Sequence, residues 1–158
     1  MAKPARKTDR RNLATNRKAL HEYELGQRYE AGLALLGSEI KSVRAGQMSL
    51  QDSYVAVDHG ELWLMNAHIA PYDLARDNHE PRRPRKLLLH KKEIAELSSR
   101  AIERGYTIVP LHVYLVRGRA KIEIAPGRGR RQYDKRHVLA EKESQREVER
   151  ALRERQRE

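Results

Sequence analysis

The stretch Thr107-Ile-Val-Pro-Leu-His-Val-Tyr-Leu-Val116, Arg117-Gly118, Arg119-Ala-Lys-Ile-Glu-Ile-Ala125 decides how the chain folds. Its first part is rich in β-branched residues, which suit a pleated, half-buried surface. Its last part alternates: Lys121 and Glu123 interleave with Ile122 and Ile124, the period-two pattern of a strand with one wet face. Between the two, Arg117-Gly118 offers a glycine to a tight turn. The stretch therefore reads as a hairpin of Thr107–Val116 and Arg119–Ala125. A similar hairpin lies upstream. Ser53–Val57 and Glu61–Met65 flank Asp58-His59-Gly60, and Tyr54, Val55, Val57, Leu62, Trp63 and Leu64 favour strands.

Working outward, Ala19–Leu36 reads as two further strands, one before a turn at Gly26 and one beginning at Tyr29. Ser38 is the expected N-cap of a short helix that Gly46 stops. Ile40 and Val43 share a face of that helix, with Glu39, Lys41 and Arg44 largely away from it. Asn78–Arg85, with Pro81 and Pro84 among arginines, reads as an exposed loop. Leu87–Leu89 leads into a helix over His90–Arg104, where Ile94, Leu97, Ala101 and Ile102 form a stripe and Gly105 caps the end. The fold class is mainly β: about six strands in a small antiparallel barrel, with two to three helices packed outside.

The chain has 158 residues, enough for one domain and some tail. It has 33 Lys+Arg, 22 Asp+Glu, a net charge of +11 and no cysteine. That excludes disulfides, a thiol nucleophile and Cys-ligated metal. No apolar run is long enough to span a bilayer and no secretory leader is visible, so a cytoplasmic protein with a polyanionic partner is expected. The charge is segregated: +6 over Met1–His21, −5 over Glu22–Ala75, +5 over Arg76–Lys92, +1 over Glu93–Pro126 and +4 over Gly127–Glu158. The expected organisation is a flexible basic arm over residues 1–15, a barrel over 16–126 and a basic tail over 127–158. The tail is expected to be disordered when free and helical when bound, because it has little apolar surface to dock and lone helices are marginal in water.

No catalytic constellation is present: there is no phosphate-binding glycine loop, no HExxH and no GxSxG. The histidines at 21, 59, 68, 79, 90, 112 and 137 lack metal-ligand spacing. Neither a cofactor nor a metal is expected, and the chain reads as a binding protein rather than an enzyme. The nucleic-acid signal is stronger. Arg82, Arg83, Arg85 and Lys86 precede Lys91 and Lys92 at a helix start, where cations oppose the macrodipole and need another reason to be present. A phosphate backbone supplies one; a solubilising loop is the rival explanation. Asn16, Arg17 and Lys18 near Tyr23 combine donors with an aromatic, as proteins that stack on unpaired bases do, although Tyr23 suits a core equally. Glu39 is either an acceptor for base amino groups or a carboxylate compensating a helix dipole. In the tail, Arg130-Arg131-Gln132-Tyr133-Asp134-Lys135-Arg136 interleaves one aromatic with cations. Tyr133 can stack on a base; alternatively Asp134 simply caps a solvated helix.

Seven ordered blocks carry a family resemblance: Asn16-Arg-Lys-Ala-x-His21-x-Tyr23, Tyr29-Glu-Ala-Gly-Leu33, Gly37-x-Glu39-Ile-Lys41-Ser-x-Arg44-x-Gly46, Asp52-Ser-Tyr54, Arg85-Lys86-Leu-Leu-Leu-His-Lys91, Gly105-Tyr-Thr-Ile-Val-Pro-Leu111 and Tyr133-Asp-Lys-Arg136. Over Asn16–Arg136 the sequence resembles the SsrA-binding protein family, also called SmpB. The resemblance implies an OB-like barrel that binds the tRNA-like domain of transfer-messenger RNA (tmRNA, SsrA) and delivers it to stalled ribosomes for trans-translation, without catalysis of its own. It implies RNA contact by Glu39 and Asn16, and more loosely by Arg17, Lys18, His21, Tyr23, Lys41, Arg44, Arg85, Lys86 and Lys91. It assigns Arg130, Arg131, Tyr133, Asp134, Lys135 and Arg136 to the decoding centre of the small ribosomal subunit. The rest of the tail would become a helix in the empty mRNA channel. Elongation factor Tu with alanyl-tmRNA is an implied partner, and the protein is expected to be monomeric. Two departures from the family pattern stand out. Gly129-Arg130-Arg131 replaces the usual Gly-Lys-Lys, and Ala151 is small where members carry a bulky apolar residue. A different barrel-type ribosomal or initiation protein is the alternative binding module, and an RNA-modifying or RNA-cleaving enzyme is a more distant one.

Overall fold

The computed structural model describes residues 11–130 and 145–154. Both hairpins form as expected. The strands β5 (Tyr54–Asp58) and β6 (Glu61–Met65) pair from Tyr54↔Met65 to Asp58↔Glu61. The long strands β9 (Tyr106–Val116) and β10 (Arg119–Gly129) pair from Val116↔Arg119 to Tyr106↔Arg128. Each has a two-residue turn with both φ values positive: His59 49° and Gly60 72°, Arg117 50° and Gly118 77°. That is the type I′ geometry whose twist matches the flanking strands.

With β3 (Tyr29–Leu33) and β8 (Arg85–Leu88), these strands run β9-β5-β6-β8-β3-β10, and the β9–β10 pairing closes the ring. The result is a six-stranded antiparallel barrel with an OB-like architecture. Leu62, Leu64, Leu87, Ile108, Val113, Ile122 and Ile124 are buried in its core. The strand β1 (Arg11–Thr15) extends the sheet beyond β9, and β2 (Tyr23–Leu25) extends it beyond β10. A separate ladder joins β4 (Met48–Ser49) to β7 (His68–Ile69).

Three helices lie outside: α1 (Arg17–Glu22), α2 (Gly37–Arg44) and α3 (Lys91–Ile102). Residues 145–154 form a further helix, exposed along its length. None of the described helices is long and apolar enough to cross a membrane.

Several expectations need correction. The last five residues of the arm expected to be flexible, Arg11–Thr15, form β1, because they cover the edge of β9 that β5 leaves unpaired. Ala19–Glu22 is helical rather than the start of a strand; the short alternation was local, and Asn16 capped a helix instead. The barrel also runs past Pro126: Gly127–Gly129 belong to β10 and pair with β2. The cap of α2 is at Leu36, with Glu39 bonded back to the Leu36 N–H at 2.9 Å, while Ser38 Oγ meets His79 Nδ1 at 2.9 Å. On α3, Leu97 is buried with Ile94 and Ala101 packed against the core, but Ile102 points to solvent. In the tail, residues 145–154 are helical.

Candidate nucleic-acid interface

The first group of candidates is built around a bulge in β9. Glu123 pairs with His112 and Ile124 with Pro110, which leaves Leu111 as the extra residue. Pro110 cannot donate to a ladder, so a bulge suits it. Asn16 takes up the carbonyls exposed there. Its backbone N–H donates to Leu111 O at 2.8 Å and its Nδ2 to Pro110 O at 3.0 Å, while its Oδ1 accepts from the Ala19 N–H at 3.1 Å and caps α1. Asn16 is buried, and both ends of its amide are engaged in fixing the helix. α1 then rests Ala19 on Val109, Leu111 and Ala125, with Tyr23 and Leu25 packed alongside. Arg17, Lys18 and His21 face solvent. Lys18, Glu22 and Tyr23 line a groove of about 230 Å³ with Asp52, Ser53 and Tyr54.

The second group is centred on α2 and the segment 70–84. Glu39 is fully buried. Its carboxylate accepts from Arg83 Nε at 3.1 Å to each oxygen, from Arg83 Nη2, and from Arg85 Nε at 2.6 Å. Arg85, also fully buried, sends Nη1 to Ala67 O at 2.7 Å and Nη2 to Pro81 O at 3.0 Å. Burial pushes the Glu39 carboxyl up, but the hydrogen bonds from Arg83, the Leu36 N–H and Arg85 outweigh it and hold the carboxyl below its ordinary value. Burial likewise lowers Arg85 against the opposing charge of Glu39, yet a guanidinium stays protonated. Around this core, Ser42 Oγ donates to Ala70 O at 2.7 Å and Lys41 Nζ lies 5.5 Å from the Tyr72 ring centre. Arg44 reaches the turn between β9 and β10, donating to Gly118 O at 3.1 Å.

These contacts revise three expectations. Asn78–Arg85 is not simply an exposed loop, since His79 and Arg85 are buried. Glu39 does not lie away from the packed face of α2. Neither Glu39 nor Arg85 presents a polar atom to solvent, so the direct RNA contact that the resemblance implies does not fit this conformation. They tie 70–84 to α2 instead, and among the clustered arginines Arg82 and Arg83 remain at the surface.

The third group lines a groove of about 580 Å³ between β3, β8 and the start of α3. Lys86 and Lys91 meet Lys121 there, together with Glu30, Leu88 and Glu93. Lys86 is held loosely by Glu61 at 3.8 Å. In the sequence Lys121 reads only as part of the wet face of a strand. The signal that could have found it is the closure of β10 on β3, Lys121↔Gly32, which needs the topology. Of the tail residues that the resemblance assigns to the decoding centre, Arg130 is described and exposed, whereas Arg131, Tyr133, Asp134, Lys135 and Arg136 lie outside the described residues. Among the described residues no cluster of His, Asp and Glu could hold a metal ion.

Comparison with known proteins agrees with this architecture. The family model described as SmpB protein matches residues 13–154. The chain belongs to the SmpB family. The SsrA-binding protein of Thermobifida fusca (strain YX) is 54% identical over 146 residues, covering 92% of this chain and 91% of its own. That of Roseiflexus sp. (strain RS-1) is 54% identical over 149 residues, covering 93% and 94%. That of Bacillus cytotoxicus is 53% identical over 145 residues, covering 91% and 94%. A solved chain from work described as "tmRNA-SmpB: a journey to the center of the bacterial ribosome" superposes with a TM-score of 0.63. It is 46% identical, and the match covers 73% of this chain and 82% of that one. The family resemblance read from the seven sequence blocks is thus shown.

Proposed function

We infer that this chain binds the tRNA-like domain of transfer-messenger RNA and delivers it to stalled ribosomes for trans-translation, acting in the cytoplasm as a binding factor and not an enzyme. One observation carries the reading: a solved chain from the tmRNA-SmpB work shares its fold at 46% identity. The geometry supports it. Exposed cations on α1 (Arg17, Lys18), with His21 beside them, and on α2 (Lys41, Arg44), together with Lys91 and the half-buried Lys86 around the third groove, sit on rigid elements, where phosphate contacts fix register. Asn16, Glu39 and Arg85 serve that surface by positioning it. In this reading the tail, from Arg130 and Arg131 through Tyr133, Asp134, Lys135 and Arg136, contacts the decoding centre of the small subunit, and the helix beyond occupies the empty mRNA channel. Elongation factor Tu with alanyl-tmRNA joins the complex.

The test is to purify the tagged chain from its own cells and sequence the bound RNA. Strong enrichment of tmRNA over ribosomal RNA and tRNA is expected. RNA recovered in proportion to cellular abundance would contradict the reading.

A further inference from the structure

We propose that the groove between α1 and the start of β5 is a pocket for one unpaired guanine of the bound RNA, with the Asp52 carboxylate accepting the base's N1–H and N2–H donors. The proposal rests on the RNA-binding reading above and adds a base identity and a residue to it.

The groove holds about 230 Å³, too little for a ligand of drug size, which takes about 300 Å³ or more, and suited to a single planar ring system. Tyr23 and Tyr54 line it, the former half-buried and the latter 47% exposed. Tyr54 is a large aromatic left open at the start of a barrel strand, and a base can stack on such a face. Asp52 sits in a fixed turn. Its φ is 61° and its carbonyl accepts from Asn66 Nδ2 at 3.1 Å. The next residue is pinned by Ser53 N–H and Ser53 Oγ, both donating to Leu50 O at 3.1 and 2.5 Å. Asp is one of the few residues that accepts a left-handed backbone without large strain.

Among the described residues the charge partner of the Asp52 carboxylate is a loose one, Lys18 Nζ at 3.7 Å, with side chains 59% and 62% exposed. Such a pair contributes little and opens readily. A carboxylate on a surface that attracts phosphate repels the backbone, so its use must lie with a donor. Two acceptor oxygens side by side match two donors side by side. Among the Watson–Crick edges of the four bases, guanine alone presents them, as N1–H and N2–H. Lys18, released from Asp52, is then placed to donate to guanine O6 or to the adjoining phosphate. Glu22 also lines the groove and adds acceptor character rather than donor character.

The decisive variant is Asp52→Asn, which keeps the shape, tolerates the positive φ and replaces one acceptor by a donor. Generic electrostatics and the pocket predict opposite signs for it. Removing a negative charge from an RNA-binding surface should tighten binding, whereas the pocket predicts weakening of about tenfold or more with an unchanged salt slope. Binding of the full chain to the tRNA-like domain RNA is measured for wild type, Asp52→Asn, Tyr54→Phe and Tyr54→Ala, with melting temperatures checking the fold. The RNA is then remade with each unpaired guanine singly replaced by inosine, which lacks the N2 amino group. One replacement should weaken wild type and leave Asp52→Asn nearly unaffected. Tyr54→Phe should bind normally and Tyr54→Ala should lose affinity. Asp52→Asn binding as tightly as wild type, or no single inosine reproducing its loss, overturns the pocket while leaving RNA binding intact. Failure of wild type to bind the unmodified RNA overturns the functional reading itself and the pocket with it.

Discussion

Replacing Glu39 by alanine removes the carboxylate that two arginines share beneath the 70–84 segment. Arg83 stays partly in water and recovers hydration, its side chain being 28% exposed; Arg85, at 0%, does not. The penalty therefore falls on a buried guanidinium whose Nε has lost its acceptor at 2.6 Å, with the Leu36 N–H cap lost as well. Removing one partner of a buried pair costs about 3–5 kcal/mol, and in a chain of this size each kcal/mol moves Tm by roughly 2–4 °C, so a drop of about 10 °C is expected. Thermal unfolding followed by circular dichroism measures it. Exchanging Glu39 and Arg85 together for apolar residues should recover part of the loss, because no charge is then stranded. The pH dependence is fixed in sign. The folded carboxyl lies below its ordinary value, so its stabilisation is complete above the unfolded value of about 4.3 and is lost as pH falls through the folded one. The Tm gap between wild type and Glu39→Gln should thus be widest near neutrality and narrow below pH ~4. A Glu39→Ala protein melting within about 2 °C of wild type would mean that Arg85 does not depend on this carboxylate.

Three other outcomes follow from the same geometry. Asn16→Ala loses the α1 cap and the bond to Pro110 O, so chemical denaturation should show a loss of about 1–2 kcal/mol. Gly127→Ala places a Cβ 3.2 Å from Tyr23 Cβ and 3.3 Å from Leu25 Cδ2; these neighbours on β2 must give by a few tenths of an ångström, and about 1 kcal/mol of stability should go in the same assay. Lys91→Ala, at the rim of the third groove, should weaken RNA binding without regard to sequence and lower the salt slope by about one.

The barrel was legible because its hairpins announce themselves locally: a glycine at positive φ, β-branched neighbours and a period of two. The helix α1 was not legible, because His21 and Tyr23 alternate with acids in a run too short to distinguish the periods, and the capping role of Asn16 depends on a bulge more than ninety residues away, at Pro110. The surface cations on α1, α2 and α3 could be read from charge clustering. The buried ones could not, since Glu39 and Arg85 are 46 residues apart. One local sign existed. Counting back in twos from buried Leu87 puts Arg85 on the inward face of β8, and an arginine there requires a buried acid. The groove at Lys121 and the one at Asp52 arise only once β10 closes on β3 and α1 settles beside β5.

If the barrel holds the RNA and the tail senses the ribosome, the two roles should part at the end of β10, Gly129. The most direct measurement compares the full chain with one ending at Gly129, in RNA affinity and in tagging on ribosomes stalled in a reconstituted system. The shortened chain should bind the tRNA-like domain within about twofold of the full chain, a shift of under ~0.5 kcal/mol, and should give no tagging. Loss of RNA binding on truncation would place RNA contacts in the tail, and tagging that survives it would show that the tail is not needed on the ribosome; either result rules out this division of roles.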